Sequence, residues 1–433
     1  MKGLDVNIKD FIKDTTSSKF AKNTLVLAVG TTIAQILPLA IYPILGRIYS
    51  PEQFGILASL TSIISIITVI STGQYQLAVL VSDNDTEAAN VTMLSLWMSL
   101  IFMIVLIIPF YFFNEQLGDL CGNRDMKLWV LICPVSAFFI NFFSCYNEWC
   151  VRKSYYKSLA SNKITNSSAV TLGKLAFGFT VFKNFGLVIG DVLGRFITAI
   201  GCVVRVLIKD RNVFRAVSYR GMRDAAKKFL DFPRLTMPAQ LINTIGGSIA
   251  VLIISAYFTS KEAGYFAMTQ AVLGLPITVV SKAICDVFRQ KANEIYSKGG
   301  CFVVLYVKVL KILSFVTITV LVIVVFFLPW IFSFVLGGQW RIAGVYAQIL
   351  LPMNALDFVA SSLAGVLIVV NKLKVNFWWQ VYYTCITIVS LIIGCIILNN
   401  VLYTLMLYSI GLSSAYLLQI YLNFRCSKLT KEI

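Results

Sequence analysis

The chain has 433 residues, of which 58% are hydrophobic and only 13% are charged, and its mean hydropathy is +0.81. A soluble domain of this composition would expose large apolar surfaces, so the composition excludes a soluble globular protein and indicates a membrane protein. The net charge of +17 does not point to nucleic acid here, because basic loops that face one leaflet meet anionic lipid headgroups. We expect membrane lipids, and no nucleic acid, among the partners.

Windows of about 20 apolar residues predict twelve transmembrane helices. The first six lie near residues 23–46, 56–80, 89–113, 128–150, 163–182 and 186–208. The second six lie near residues 236–258, 263–287, 305–336, 343–370, 376–398 and 401–424, and the ninth is long enough to be tilted or to carry a short interfacial piece after Pro329.

This arrangement predicts an all-α polytopic membrane protein with two six-helix lobes around a central cavity. The N-terminal lobe covers residues 1–208, a cytoplasmic linker covers 209–234, and the C-terminal lobe covers 235–433. A faint repeat supports the division, because residues 49–55 (YSPEQFG) align with residues 258–264 (FTSKEAG), and each heptapeptide joins the first two spans of its half. Since six is even, the two lobes share one orientation and are related by an axis along the membrane normal.

The basic residues predict the topology. Of the 37 Lys and Arg residues, 29 lie in one alternating set of segments, which is the pattern of loops retained on the cytoplasmic side. Both termini belong to that set, and the polar start over residues 1–22 does not resemble a cleavable signal peptide. One cytoplasmic segment, residues 82–87, breaks the pattern because it is acidic. The opposite set holds only Arg47, Arg124, Lys127, Lys183, Lys261 and Arg341.

Several kinds of site are excluded by residue content. The chain has no histidine, which excludes histidine acid–base catalysis and histidine metal sites. The ten cysteines form no CxxC pair, and the segment around Lys174 (TLGKL) lacks the upstream glycine and following hydroxyl of a phosphate-binding loop. We therefore predict no enzyme activity, no metal and no cofactor.

Ionisable residues inside apolar spans are costly and are candidates for function. Lys174 lies in the fifth span, and Asp191 and Arg195 lie four residues apart in the sixth, so they share a helical face. In a functional interpretation, Lys174 and Arg195 bind an anionic group, and Asp191 holds Arg195 or exchanges a proton. The alternative is a structural ion pair with a lysine that extends its amine to the membrane surface.

Other polar residues are weaker candidates. Arg47 either anchors the first span at the interface or contacts a ligand, and Asp357 in the tenth span is a charge partner or an ion-coupling site. Lys282 and Asp286 have i,i+4 spacing and predict an interfacial pair. The remaining polar residues either line a hydrophilic path or bond neighbouring helices; they are Gln35, Gln74, Tyr75 and Asn243.

Four stretches of the chain resemble the polysaccharide-transport family of the multidrug/oligosaccharidyl-lipid/polysaccharide (MOP) exporter superfamily, in particular the Wzx O-antigen flippases. The first three are residues 46–55 (GRIYSPEQFG), residues 73–80 (GQYQLAVL) with 87–90 (EAAN), and residues 147–153 (NEWCVRK). The fourth is residues 232–243 (FPRLTMPAQLIN), continuing through 262–266 (EAGYF) and 275–276 (LP) to 287–288 (VF).

The resemblance implies a bacterial inner-membrane flippase. Such a protein moves an undecaprenyl-diphosphate-linked oligosaccharide from the cytoplasmic to the periplasmic leaflet by alternating access, coupled to a gradient of H⁺ or Na⁺ rather than to ATP. It also implies the polymerase and chain-length proteins of the same pathway as partners. Two alternatives stay open: a small-molecule antiporter of the same superfamily, which would favour acidic over basic cavity groups, and a membrane-embedded glycosyltransferase or polymerase, which would need a large outside loop with catalytic charges.

Overall fold

The computed structural model describes residues 19–122 and 127–430. Residues 1–18, Arg124 and Lys431, which contribute to the predicted topology, lie outside the described residues. The described chain contains twelve long helices, as predicted. The first six are α1 (Lys19–Ile48), α2 (Pro51–Ser71), α3 (Asp85–Phe112), α4 (Ile132–Arg152), α5 (Tyr156–Gly178) and α6 (Gly186–Lys209). The second six are α7 (Met237–Tyr257), α8 (Ser260–Ser297), α9 (Val303–Val324), α10 (Arg341–Ser362), α11 (Leu373–Ile393) and α12 (Val401–Ser427).

Helix α5 differs from the other long helices. Within the described part, eleven of the twelve are long and apolar enough to cross a membrane, and α5 is the exception. It carries Lys157, Lys163 and Lys174 among several Ser, Thr and Asn residues, and it packs between α1 and α6. A polar helix is tolerated at membrane depth where it lines a cavity rather than lipid. The polarity of α5 therefore already marks it as a cavity wall.

Three predicted spans have different ends in the structure. Helix α2 stops at Ser71 rather than near residue 80, because Gly73 and Gln74 adopt positive φ angles of 56° and 58° before a short 3₁₀ segment, Tyr75–Leu80. Helix α8 is longer than predicted and runs to Ser297. The ninth span is two pieces, α9 and a short helix Leu328–Leu336 with Pro329 at its start, which agrees with the interfacial piece expected there.

The helices form two lobes of six. Helices α1–α6 pack on one another, and α7–α12 do the same. The lobes meet chiefly where α2 crosses α7 and α8, and where α1 contacts the short helix Leu328–Leu336. Buried apolar residues of both lobes form one cluster, in which Leu45, Tyr49, Phe54 and Leu187 of the N-terminal lobe pack with residues of the C-terminal lobe.

Among the residues that the structure describes, side-chain hydrogen bonds between the lobes occur at one end of the bundle only. The Gln339 Nε2 group donates to the carbonyl oxygens of Gly46 (2.6 Å) and Tyr49 (3.1 Å), and the Trp340 Nε1 group donates to Gly46 O (2.7 Å). Arg47 adds a bond from Nη2 to Phe334 O (3.1 Å). We call this the closed end. Among the described residues no such bond joins the lobes at the opposite end, near Arg152 and Lys282, which we call the open end.

The acidic segment that breaks the charge pattern, residues 82–87, contacts the linker between the lobes. The second short helix of the linker, Tyr219–Lys228, packs on α3. The Lys228 amine lies 2.7 Å from Asp83 Oδ2 and 2.6 Å from Glu87 Oε1, and these contacts raise the pKa of Lys228. The acidic segment therefore holds the basic linker on the N-terminal lobe.

Candidate functional site

The described residues enclose two adjoining cavities, the first lined by the N-terminal lobe alone and the second lying between the lobes. One, of about 440 Å³, is lined by α1, α4, α5 and α6, and the other, of about 360 Å³, also reaches α2, α7 and α8. Both are lined by Tyr42, Leu45, Lys174 and Arg195, so they are parts of one central cavity. The cavity is bounded by both lobes and by the polar helix α5.

Glycines bring α5 and α6 into backbone contact beside this cavity. A Cβ atom on Gly190 would lie 2.4 Å from the backbone nitrogen of Lys174, and one on Gly173 would lie 2.8 Å from the carbonyl oxygen of Gly190. Small residues permit this close approach of membrane helices. The approach places the Lys174 side chain next to Asp191, which follows Gly190 in the chain.

Asp191 joins both predicted cations. Its Oδ1 atom lies 2.8 Å from Lys174 Nζ, and its Oδ2 atom lies 2.5 Å from Arg195 Nε. The Asp191 side chain is 6% exposed, whereas those of Lys174 and Arg195 are 17% and 19% exposed to the cavity. Lys174 therefore does not extend to the membrane surface, and the Asp191–Arg195 pair forms as the spacing predicts.

The chemistry of this triad follows from its charge. Two cations and one carboxylate leave a net charge of +1 at a largely buried site, where charges interact more strongly than in water. The guanidinium and ammonium groups each have further N–H donors that Asp191 does not use. The triad is thus built to attract an anion with phosphate-like oxygens.

A polar face of α5 leads from the open end to the triad. Lys163, Asn166, Ser167 and Thr171 line the larger cavity together with Lys174. Lys163 and Lys174 are eleven residues apart, which is about 16 Å along a helix. Lys163 Nζ bonds Thr31 Oγ1 at 3.1 Å, and the charge of Lys282 on α8 also acts on it. Lys163 begins the fifth predicted span and was not predicted as a site residue; the Ser, Thr and Asn residues that follow it at helical spacing were the signal of a polar face on α5.

Not all predicted site residues lie in this cavity. Gln35 lines it, whereas Arg47 is exposed at the closed end and contacts Phe334. Gln74 donates to Val69 O at 3.3 Å, and the Tyr75 hydroxyl donates to Ala226 O at 3.0 Å, so both bond the backbone away from the cavity. Asn243 is exposed on α7 and is not among the residues that line the two cavities.

The C-terminal lobe has its own partly buried acid, Asp357. Asp357 accepts a hydrogen bond from Ser361 Oγ at 2.7 Å and has no cationic partner among the described residues. Its charge acts on Tyr383, Tyr408 and Tyr416, which places it in the interior of that lobe. The predicted Lys282–Asp286 pair does not form. Asp286 instead pairs with Arg289 at 3.2 Å, one residue closer along the helix.

A model of the family described as "Polysaccharide biosynthesis protein" matches residues 44–345. The match covers more than half of the chain and includes the Lys174–Asp191–Arg195 triad. The chain belongs to the polysaccharide biosynthesis protein family. No curated protein matches it in a sequence comparison.

Solved structures share the fold of this family member. A structure titled "Lipid II flippase MurJ, inward closed conformation" is similar with a TM-score of 0.75 at 13% identity, over 93% of this chain and 87% of that one. An inward-facing multidrug resistance MATE family transporter of the MOP superfamily has a TM-score of 0.71 at 15% identity, over 92% of this chain and 98% of that one. An outward-facing structure of such a transporter has a lower score of 0.61 at 15% identity, over 95% and 97%.

The family match shows a polysaccharide biosynthesis protein, the eleven apolar helices among the described residues indicate a multi-pass membrane protein, and its fold is the one seen in the MurJ and MATE structures. The match ends at residue 345, before Asp357, so it does not extend to the acid of the C-terminal lobe.

Proposed function

We propose that the protein flips an undecaprenyl-diphosphate-linked oligosaccharide, such as an O-antigen repeat unit, from the cytoplasmic to the periplasmic leaflet of a bacterial inner membrane. The observation that carries this proposal is the central cavity, which joins a buried cationic triad to a polar face of α5. A diphosphate and a glycan cannot cross hydrocarbon without partners for their charges and hydroxyls. This cavity offers both kinds of partner, while the prenyl tail can remain in lipid.

Different side chains of the cavity meet different parts of the substrate. Lys174 and Arg195 are placed to meet the diphosphate, because they are the most deeply placed cations of the cavity wall. Gln35, Asn166 and Ser167 line the same cavity and supply amide and hydroxyl groups for sugars. The excess of cations over carboxylates there favours an anionic head group over a cationic drug.

The distribution of basic residues supports one orientation. Arg152, Lys163 and the basic linker lie toward the open end, and short loops rich in Lys and Arg are retained in the cytoplasm. The open end then faces the cytoplasm, where lipid-linked repeat units enter, and both termini are cytoplasmic. Export requires a second state in which the closed end opens toward the periplasm.

Ion coupling has two candidate carboxylates. Asp191 is neutralised by two cations, whereas Asp357 has a hydroxyl partner and no cation among the described residues. Binding of H⁺ or Na⁺ at Asp357 would neutralise a partly buried carboxylate that has no cationic partner among the described residues, which favours binding there. Asp357 is therefore the better candidate for coupling to an ion gradient.

Two substitutions test the assignment. Lys174→Ala and Arg195→Ala should each stop surface glycan production while the protein remains in the membrane, and Lys227→Ala, on the exposed linker, serves as the control. Normal glycan output in both cavity variants would overturn their role. Loss of drug resistance with unchanged surface glycan would instead indicate a small-molecule antiporter.

A further inference from the structure

The two heptapeptides of the internal repeat meet each other at the closed end. Each begins the second helix of its lobe in the same way. Ser50 caps α2 by accepting a hydrogen bond from Gln53 N, and Thr259 caps α8 by accepting one from Glu262 N. The seventh residue of each heptapeptide is glycine, and it faces the opposite lobe.

These glycines make a reciprocal contact. A Cβ atom on Gly55 would lie 1.7 Å from the carbonyl oxygen of Ser260, and one on Gly264 would lie 1.7 Å from the carbonyl oxygen of Pro51. Ser260 and Pro51 occupy the same position in the aligned heptapeptides. The contact is therefore isologous, with each lobe presenting the same surface to the other.

The neighbouring contacts belong to the same junction. The hydrogen bonds from Gln339 and Trp340 to Gly46 and Tyr49 lie in the segment that leads into the first heptapeptide. Trp340 also packs edge-on against Phe54, with ring centroids 5.2 Å apart. The smaller part of the central cavity begins directly behind this junction, since Phe54 lines it.

We propose that the Gly55–Gly264 contact is the seal that closes the cavity at this end, and that it parts each time the cavity opens there. This inference rests on the alternating access of the proposed function. Backbone contact requires glycine at both positions, because any side chain would meet a carbonyl oxygen that cannot move away. Alanine at either position holds the lobes apart at the closed end. It therefore shifts the population toward the state in which the closed end is open.

Thiol labelling from each side of the membrane tests the seal without relying on transport. The reporter is Thr61→Cys, which lines the central cavity, in a background where the less buried cysteines are replaced by Ser. Those are Cys285, Cys301, Cys385 and Cys426. The same background without the reporter corrects for the remaining thiols. A membrane-impermeant maleimide is applied to spheroplasts and, separately, to inverted vesicles.

The protein with wild-type glycines should be labelled from one side only. Gly55→Ala and Gly264→Ala should each be labelled from the second side at least about tenfold faster. Gly274→Ala is the matched control on α8, because a Cβ there has no atom within 4 Å, and it should remain labelled from one side.

A second variant tests the seal even if the glycine variants misfold. The pair Gln339→Ala with Trp340→Phe removes three bonds across the junction without adding atoms, and it should also increase labelling from the second side. One-sided labelling of folded glycine variants, or of this pair if the glycine variants are absent from the membrane, would overturn the seal. Two-sided labelling together with normal glycan output from Lys174→Ala would support the seal and contradict the flippase.

Discussion

Replacing Lys174 with Ala changes the net charge of the triad from +1 to zero, because Asp191 then balances Arg195 alone. Unit charges about 5 Å apart attract by about 3 kcal/mol at an effective dielectric constant of about 20. Loss of one cation should therefore weaken binding of a diphosphate lipid by about a hundredfold. The assay is titration of undecaprenyl diphosphate into the purified protein in zwitterionic nanodiscs.

A double variant separates charge from structure. Adding Asp191→Asn to Lys174→Ala restores the net charge of +1, now carried by Arg195, and should recover a large part of the lost affinity. Lys174→Arg keeps the charge and should bind nearly as well as the wild type. If the double variant binds no better than Lys174→Ala while both are folded, the account of the triad as an anion site is refuted.

Three further predictions concern packing, the linker and ion coupling. Gly190→Ala should destabilise the protein by about 1–3 kcal/mol through the contact with the Lys174 backbone, whereas Gly201→Ala on the same helix, whose Cβ has no atom within 4 Å, should not; equal melting temperatures would contradict this. Lys228→Ala should release the linker from the acidic segment and speed its proteolysis, with Lys227→Ala as the control. Because these contacts raise the pKa of Lys228 above its usual 10.5, the linker's protection should be constant from neutral pH up to that value and decline above it; a decline near pH 8 would argue against the contact. Asp357→Asn should leave diphosphate binding unchanged but remove the dependence of flipping on an H⁺ or Na⁺ gradient, and retained dependence would exclude Asp357 as the coupling site.

The helices of the fold could be predicted because the bilayer sets the length of an apolar span and basic residues concentrate in the loops between spans. The ends of helices could not, since a window of hydropathy does not detect the left-handed turn at Gly73 and Gln74. That turn removes Gln74 and Tyr75 from the cavity. Lys163 was not predicted as a site residue for a related reason: a polar stretch at membrane depth has the same composition as a loop.

In the site, a contact within one helix could be predicted from the sequence, whereas a contact between two helices could not. The Asp191–Arg195 pair follows from i,i+4 spacing within one helix. The contact between Lys174 and Asp191 depends on the close approach of α5 and α6 at Gly173 and Gly190, which no spacing within one helix predicts. The repeat at residues 49–55 and 258–264 was visible in the sequence, but its reciprocal contact required the structure.

The most direct test of the central claim is the leaflet in which the lipid-linked oligosaccharide resides when the protein is removed. The account predicts that a strain lacking the protein accumulates a complete repeat unit on the undecaprenyl diphosphate carrier in the cytoplasmic leaflet, where an impermeant glycan-modifying enzyme added to spheroplasts cannot reach it. Restoring the wild-type protein, but not Lys174→Ala, should make the repeat unit accessible. Accumulation in the periplasmic leaflet of the strain lacking the protein would contradict the account.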